Sequence, residues 1–403
     1  MTTFPLSRPT PAPPADGSDL LPCPVPFAAI PRETWDRLTA ATPAATPFSR
    51  WTFHRAWWDA YGSTAHEQYL ACVRADAPGI RIGEPFADSE DVLGIVPLMH
   101  RHEVEPGDAE TATLLRRRVE SGTSLRPDAK AVFMAASYHA DYATLLCDPR
   151  HVGAVADALA LACCGPVPAE AGQAWDVIDL RRLRADDPAL PALEAAFRRH
   201  AGEQGWDVRV EVEDVCPVTT FASADWEAFL ATLDKKARHE IRRKMRRAEQ
   251  SGTVRFELAS LDASSVETFI DLHQARWGDE GLFPPTEGGD RSRHFLHRLA
   301  ELEAAEGAGA QLQLGQVLVG DRLIFATVGF DDGSTCYFYN AGMDPAARDL
   351  SPGVTGTAAY LRDRLDANRR RFDFLRGNED YKYEWGALDT TVQRLMVLRT
   401  YPS

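Results

Sequence analysis

No apolar run in the 403 residues approaches the roughly 20 needed to cross a bilayer, which excludes a membrane-spanning helix. Cysteine is scarce: Cys23, Cys72, Cys147, Cys163, Cys164, Cys216 and Cys336 form no CxxC pair, and their number is odd. That pattern argues against a metal site or a disulfide framework and for free thiols in a reducing, cytoplasmic compartment. A GxSxG nucleophile elbow is absent too, which disfavours a covalent enzyme intermediate. The amino end lacks a basic stretch followed by an apolar core. Residues 1–26 are instead rich in Pro, Thr and Ala, with Pro9, Pro11, Pro13 and Pro14 close together, and are expected to be a disordered leader. Positive charge is in short supply: 44 Lys and Arg against 59 Asp and Glu give a net charge of −15. A protein whose whole surface grips nucleic acid is thereby excluded.

What the chain does have is length enough for two domains, with a boundary expected between residues 215 and 216. In 27–215, an aromatic cluster (Trp51, Phe53, Trp57, Trp58) lies in a helical stretch. Strand-like runs follow at 69–74, 92–101, 132–134 and 142–146, then an Ala-rich helix at 151–164 and a strand at 175–180. A helix at 188–203 and a strand at 206–212 close this half. Strand–helix alternation of this kind predicts an α/β layered fold. In 216–403, Ser223 is the expected N-cap of a long helical pattern that breaks near Asp234. Helices at 264–277 and 292–306 flank a Gly/Pro-rich loop at 278–289. A three-strand antiparallel meander spans 311–319, 323–330 and 335–342, before a helix at 354–368, a strand at 371–375 and a last strand at 393–400.

Four stretches carry candidate chemistry. After the meander, Arg348, Ser351, Pro352, Gly353 and Val354 lead into a helix, whose first amides and dipole form an anion site. Next, the strand ending at Gly377 delivers Glu379, Asp380, Tyr381, Lys382, Tyr383, Glu384 and Trp385 to the carboxyl end of a sheet, where ligands sit. Acyl transfer from a thioester to an amine needs a base, an oxyanion donor and an acid for the leaving thiolate. Glu379 and Asp380 are the candidate bases and Tyr381 the candidate acid. His273 and Trp277 share a helical face beside the 278–289 loop, and with Asn340 on the third meander strand form a candidate acceptor wall. Finally, 235–247 holds eight Lys and Arg against Glu240, with Ala237, Ile241, Met245 and Ala248 at helical spacing. Arg242, Arg243, Arg246 and Arg247 on that helix are candidate phosphate or RNA contacts.

Taken in order, Trp226 with the 235–247 helix, His273 to Trp277, Ser351-Pro352-Gly353 and Gly377 to Trp385 resemble the CelD/BcsL-like branch of the GNAT acyltransferase superfamily, relatives of the FemAB group. Phe48-Ser49-Arg50-Trp51, Pro97-Leu98, Asp141-Tyr142 and 175–180 extend the resemblance to nearly everything after residue 26. Arg348 and Gly353 match the superfamily's diphosphate loop, while Ser351 stands where that loop has its first glycine. The resemblance implies tandem GNAT-like domains, each a twisted mixed sheet flanked by helices. Donor binding falls in the second, acceptor recognition at the junction, and the first is a degenerate copy. Glu379, Tyr381 and Lys382 are carried over as motif matches, with Trp385 at the substrate. Acetyl-CoA or another acyl-CoA is the implied donor, with no metal, and a small-molecule or cell-surface-precursor amine the implied acceptor. Two alternatives stand beside N-acyl transfer: aminoacyl-tRNA-dependent peptidyl transfer of the FemAB kind, and a non-catalytic CoA-binding module. A carrier protein or tRNA is a possible partner, and oligomeric state is not legible.

Overall fold

The computed structural model describes residues 20–76, 89–101, 131–165 and 175–399. The first half supplies strands β1 (Leu20–Val25), β2 (His66–Glu67), β3 (Tyr69–Arg74), β4 (Val92–Val96), β5 (Leu98–Arg101), β6 (Ala131–Met134), β7 (Leu146–Cys147), β8 (Val177–Arg184) and β9 (Asp207–Thr220). Its helices are α1 (Arg32–Ala41), α2 (Trp51–Tyr61), α3 (Val152–Cys164) and α4 (Ala189–His200). The second half begins with α5 (Trp226–Thr232) and α6 (Lys235–Ser251), then β10 (Val254–Ala259), α7 (Ala263–Trp277) and α8 (Glu287–Ala305). The meander β11 (Leu312–Val319), β12 (Arg322–Asp331) and β13 (Thr335–Met343) follows, then α9 (Pro352–Asp366), β14 (Arg371–Asp373), α10 (Asp380–Tyr383) and β15 (Leu388–Leu398).

Local chemistry explains where these elements begin. The Asp225 carboxylate accepts the amides of Glu227 and Ala228, so Asp225 rather than Ser223 caps α5: it sits closer to the first unpaired donors. Asp234 accepts the Lys236 amide and starts α6, which accounts for the break expected near that residue. The stretch 1–19 of the expected leader lies outside the described residues, whereas Leu20–Val25 form β1, paired antiparallel with β3. Pro22 and Pro24 alternate with buried Cys23 and Val25, so their missing donors fall on one edge of the strand. An edge strand tolerates that.

Two sheets result. A small one runs β1-β3-β4-β7, and a large one β10-β11-β12-β13-β14-β9-β15-β8-β6-β5-β2. The fold is a twisted mixed α/β sheet with flanking helices. In the large sheet β9 lies between β14 and β15, and β15 lies between β9 and β8. Each half therefore lends its last strand to the other, and residues 215 and 216 both fall inside β9. Aromatic packing joins the halves as well: α2 lies along α8, with Phe53 edge-to-face on Phe295, and Phe48 on Phe330. All seven cysteines are buried free thiols.

Candidate functional site

The site grows from a defect in sheet pairing. β13 and β12 run antiparallel, but Val328 opposes Asn340 while Gly329 opposes Phe338, so Tyr339 is the extra residue of a β-bulge. On its other edge β13 pairs with β14 only through residues 335–337. Beyond Asp373, Leu375 adopts the left-handed conformation (φ 57°), unusual for a side chain branched at Cγ, and turns the chain away from β13. The amides of Phe374 and Gly377 then donate to Pro217 (2.9 Å) and Val215 (3.0 Å) on β9. A wedge opens between 338–343 and 374–377, with backbone groups of β13 along one wall. Its mouth is at the carboxyl ends of two parallel strands.

A helix start stands at that mouth. Asp344 accepts the Ala346 amide at 2.8 Å and pairs with Arg322 at 2.7 Å, which fixes the turn Pro345–Leu350. Ser351 takes a left-handed conformation (φ 49°), donates its amide to the Arg348 carbonyl, and accepts the amides of Val354 and Thr355. Pro352 has no donor, so the Gly353 amide is the one at this helix start without a backbone acceptor among the described residues. The candidate anion site is thus narrower than a full glycine loop: one main-chain donor, the helix dipole and the exposed Arg348. A Cβ at Gly353 would lie 3.5 Å from the Met343 methyl, an ordinary contact. Gly353→Ala should therefore leave stability within about 0.5 kcal/mol of the parent. A phosphate-bearing ligand seated on this amide should bind the variant about tenfold more weakly by calorimetry, because a methyl then stands where the anion approaches.

Residues 235–383 match the acetyltransferase (GNAT) domain family. In sequence, no curated protein matches the chain significantly. In structure, the chain is similar to FemX over 91% of its length and 96% of that chain, with a TM-score of 0.55 and 11% identity. A conserved protein of unknown function from Bacteroides thetaiotaomicron gives 0.52 at 11% identity, covering 92% of this chain and 98% of the other. A tandem GNAT protein from the clavulanic acid biosynthesis pathway gives 0.44 at 11% identity, covering 95% and 100%. At such identities the likeness is one of fold.

Within the GNAT-like half, the α10 segment closes the wedge. Lys382 is 3% exposed, and its ammonium donates to the carbonyls of Leu375 (3.2 Å), Arg376 (2.7 Å) and Gly377 (3.1 Å) while pairing with Glu379 at 2.9 Å. Four acceptors exhaust three N–H groups, so Lys382 clamps the divergent backbone and has no donor left for a substrate. Glu379 is half exposed and held by that pair, and Asp380 faces solvent. Tyr381 packs edge-to-face on Phe374 at 6.1 Å, and burial, then the Glu379 charge, holds its phenol above the ordinary value. Trp385, expected at the substrate, is 2% exposed and packs beneath the α9 face, its carbonyl accepting the Thr219 hydroxyl. The left-handed Gly386 that follows turns the chain into β15 and folds the indole under.

His273, Trp277 and Asn340 do come together, along the outer half of β13. Trp277 is exposed and donates its indole N–H to the Ala341 carbonyl at 3.3 Å. His273 is buried behind it, and burial lowers its pKa to about 4 against an opposing hydrogen bond to Asn340. The imidazole is thus neutral at physiological pH. A Cβ on Gly342 would meet the His273 backbone nitrogen at 2.3 Å, so glycine is what lets β13 approach α7 this closely. Gly342→Ala should cost about 3 kcal/mol in chemical denaturation, since backbone must yield rather than a side chain.

Sequence reasoning missed the groups on the opposite face of the wedge, where the first half meets the second. Asp373 is 3% exposed and accepts from the Tyr142 hydroxyl (2.8 Å) and the Leu375 amide (2.8 Å). Burial raises its pKa to about 6, helped slightly by Asp141, which is itself paired with Arg376. Beside them, the Tyr339 hydroxyl lies 2.9 Å from His139 Nδ1 and donates to the His139 carbonyl at 3.0 Å. His139 Nε2 contacts the Tyr61 hydroxyl at 2.8 Å, which contacts Ser292 at 2.9 Å. His139, Ser292, Tyr339 and Asn340 line one small cavity with Phe269 and Phe295. An acid alternating with Phe372 and Phe374 was the one local clue, because Asp rarely points into a core unaided.

Proposed function

We propose that this protein moves an acyl group from an acyl-CoA thioester to an amine by direct attack. One observation carries the reading: the β13–β14 wedge opens beside the α9 start, at the carboxyl end of the sheet. Gly353, Arg348 and the helix dipole would hold the diphosphate, and the pantetheine arm would lie along 338–343, where it would meet the Trp277 indole on the Ala341 carbonyl. The carbonyl would reach the bulge at Tyr339, and the sulfur would rest near Tyr381, whose phenol stays protonated and can supply the thiolate's proton.

The acceptor amine would enter from the junction face. There the Tyr339–His139 chain and Asp373 are better placed to take its proton than Glu379, which is committed to Lys382. The first half would then be an acceptor wall rather than scaffold alone. Among the described residues no helix is long and apolar enough to cross a membrane, and a cytoplasmic location suits seven free thiols. Acetyl-CoA titrated into the purified protein, followed by thiol release across a panel of primary amines, tests the proposal. Micromolar binding with amine-dependent release supports it. Binding without release for any amine would leave a CoA-binding module, and no binding would remove the donor site altogether.

A further inference from the structure

Helix α6 carries more positive charge than its packing requires. Ile241 and Ala248 are buried and Met245 packs against the same cluster, while Lys235, Lys236, Arg242, Arg243, Arg246 and Arg247 are exposed. Glu227 takes Arg242, and Glu240 takes Arg243 (2.7 Å) and Lys244 (3.3 Å). Among the described residues, Lys235, Lys236, Arg246 and Arg247 have no carboxylate partner. In a chain of net charge −15, such a stripe is a local feature and not an echo of composition.

Its position is specific. α6 packs along α9 and touches the turn Pro345–Leu350 that precedes the anion site. Its amino end follows Leu233, which sits against Gly386 just past α10. At its carboxyl end, Gly252 abuts Gly320 in the β11–β12 turn, and Arg322 two residues on anchors Asp344 at the start of Pro345–Leu350. The carboxyl-terminal half of α6 is therefore the half on the diphosphate side of the mouth. Packed helices lie about 8–10 Å apart, and Arg246 and Arg247 stand exposed on the flanks of the helix that neighbours the one opening at Gly353.

We infer that Arg246 and Arg247 read the 3′-phosphate of coenzyme A, which makes a free acyl-CoA the donor. The inference rests on the acyl-CoA reading above and extends it. A thioester carried on a protein-bound phosphopantetheine has no ribose phosphate and would leave both guanidinium groups unused. The dianionic phosphomonoester sits one ribose away from the diphosphate held at Gly353, and arginine suits it through paired N–H donors.

Calorimetric titration of the full chain with CoA and with 3′-dephospho-CoA, at low and moderate salt, decides the matter. The expected result is a preference for CoA of about tenfold that shrinks with salt. Arg246→Gln with Arg247→Gln should bring CoA down to the affinity of dephospho-CoA and leave dephospho-CoA itself unchanged. Lys235→Gln with Lys236→Gln, at the far end of the helix, should keep the preference. Melting curves should coincide throughout, since exposed substitutions shift stability by less than about 0.5 kcal/mol. Equal affinity for the two nucleotides, or a preference surviving in the double arginine variant, overturns the inference and leaves the acyl-CoA reading standing. So does bulk tRNA displacing CoA in a manner that all four residues share, which would make the stripe a nucleic-acid face. Failure of both nucleotides to bind at millimolar concentration sinks the acyl-CoA reading itself.

Discussion

Replacing Lys382 with methionine should lower the melting temperature by about 8 °C and abolish acyl-CoA binding. The ammonium is the common partner of three carbonyls that would otherwise be buried without donors. Removing one member of such a buried set costs about 3–5 kcal/mol. Glu379 softens the loss because it is half exposed and can rehydrate, so the lower end applies, near 3 kcal/mol. At about 2–4 °C per kcal/mol for a domain of this size, that gives the stated shift. Binding is lost for a separate reason: without the clamp, the 375–377 segment has no cause to hold its angle to β13. Glu379→Gln is the informative contrast. It leaves the ammonium with its three carbonyls, and should move the melting temperature by less than about 2 °C.

Asp373→Asn should make the protein more stable and less active at neutral pH. The carboxyl sits near 6 in the folded protein against an ordinary 3.8, so the native state binds the extra proton between about pH 4 and pH 6. Stability from this group is therefore greatest at low pH, falls as pH rises through that window, and is flat above it. The difference is worth about 3 kcal/mol against the folded state at pH 8. A neutral amide of the same shape keeps the Leu375 amide on its oxygen, and its NH2 donates to the Tyr142 hydroxyl oxygen where the carboxylate had accepted. Urea midpoints of the two proteins should coincide near pH 4 and separate, in favour of the variant, by pH 7. Identical midpoints at both values would show that the carboxyl is not buried in solution. A group kept ionised at such cost in a cleft is a functional candidate, and acyl transfer should fall by about a hundredfold.

Much of the architecture is legible in the residues. The meander, the helix after it and the strand leading to Gly377 all show in alternation and turn chemistry, because each meander strand pairs with the next across a short turn and the others follow in chain order. The exchange of β9 and β15 is not legible: both runs alternate, and nothing local says which half's strands they will join. β1 escapes notice because its prolines read as disorder until an edge position gives them a harmless direction. Sites divide on the same line. Ser351 to Val354 and Tyr381 lie where chain order puts them, at a helix start and a strand end. In the sequence Lys382 is a motif match and no more, since only the left-handed turn at Leu375 gathers three carbonyls around it. His139 and Tyr339 are 200 positions apart, and no spacing rule connects them.

The claim at the centre is that a thioester donor occupies the wedge between β13 and the segment after β14. Hydrogen–deuterium exchange on the full chain with and without acetyl-CoA tests it most directly. The prediction is slowed exchange at 338–343, at 353–355 and at 374–381 together, with the rest of the large sheet unchanged. Saturating acetyl-CoA that protects none of these three segments, or that protects a different surface, would contradict the account.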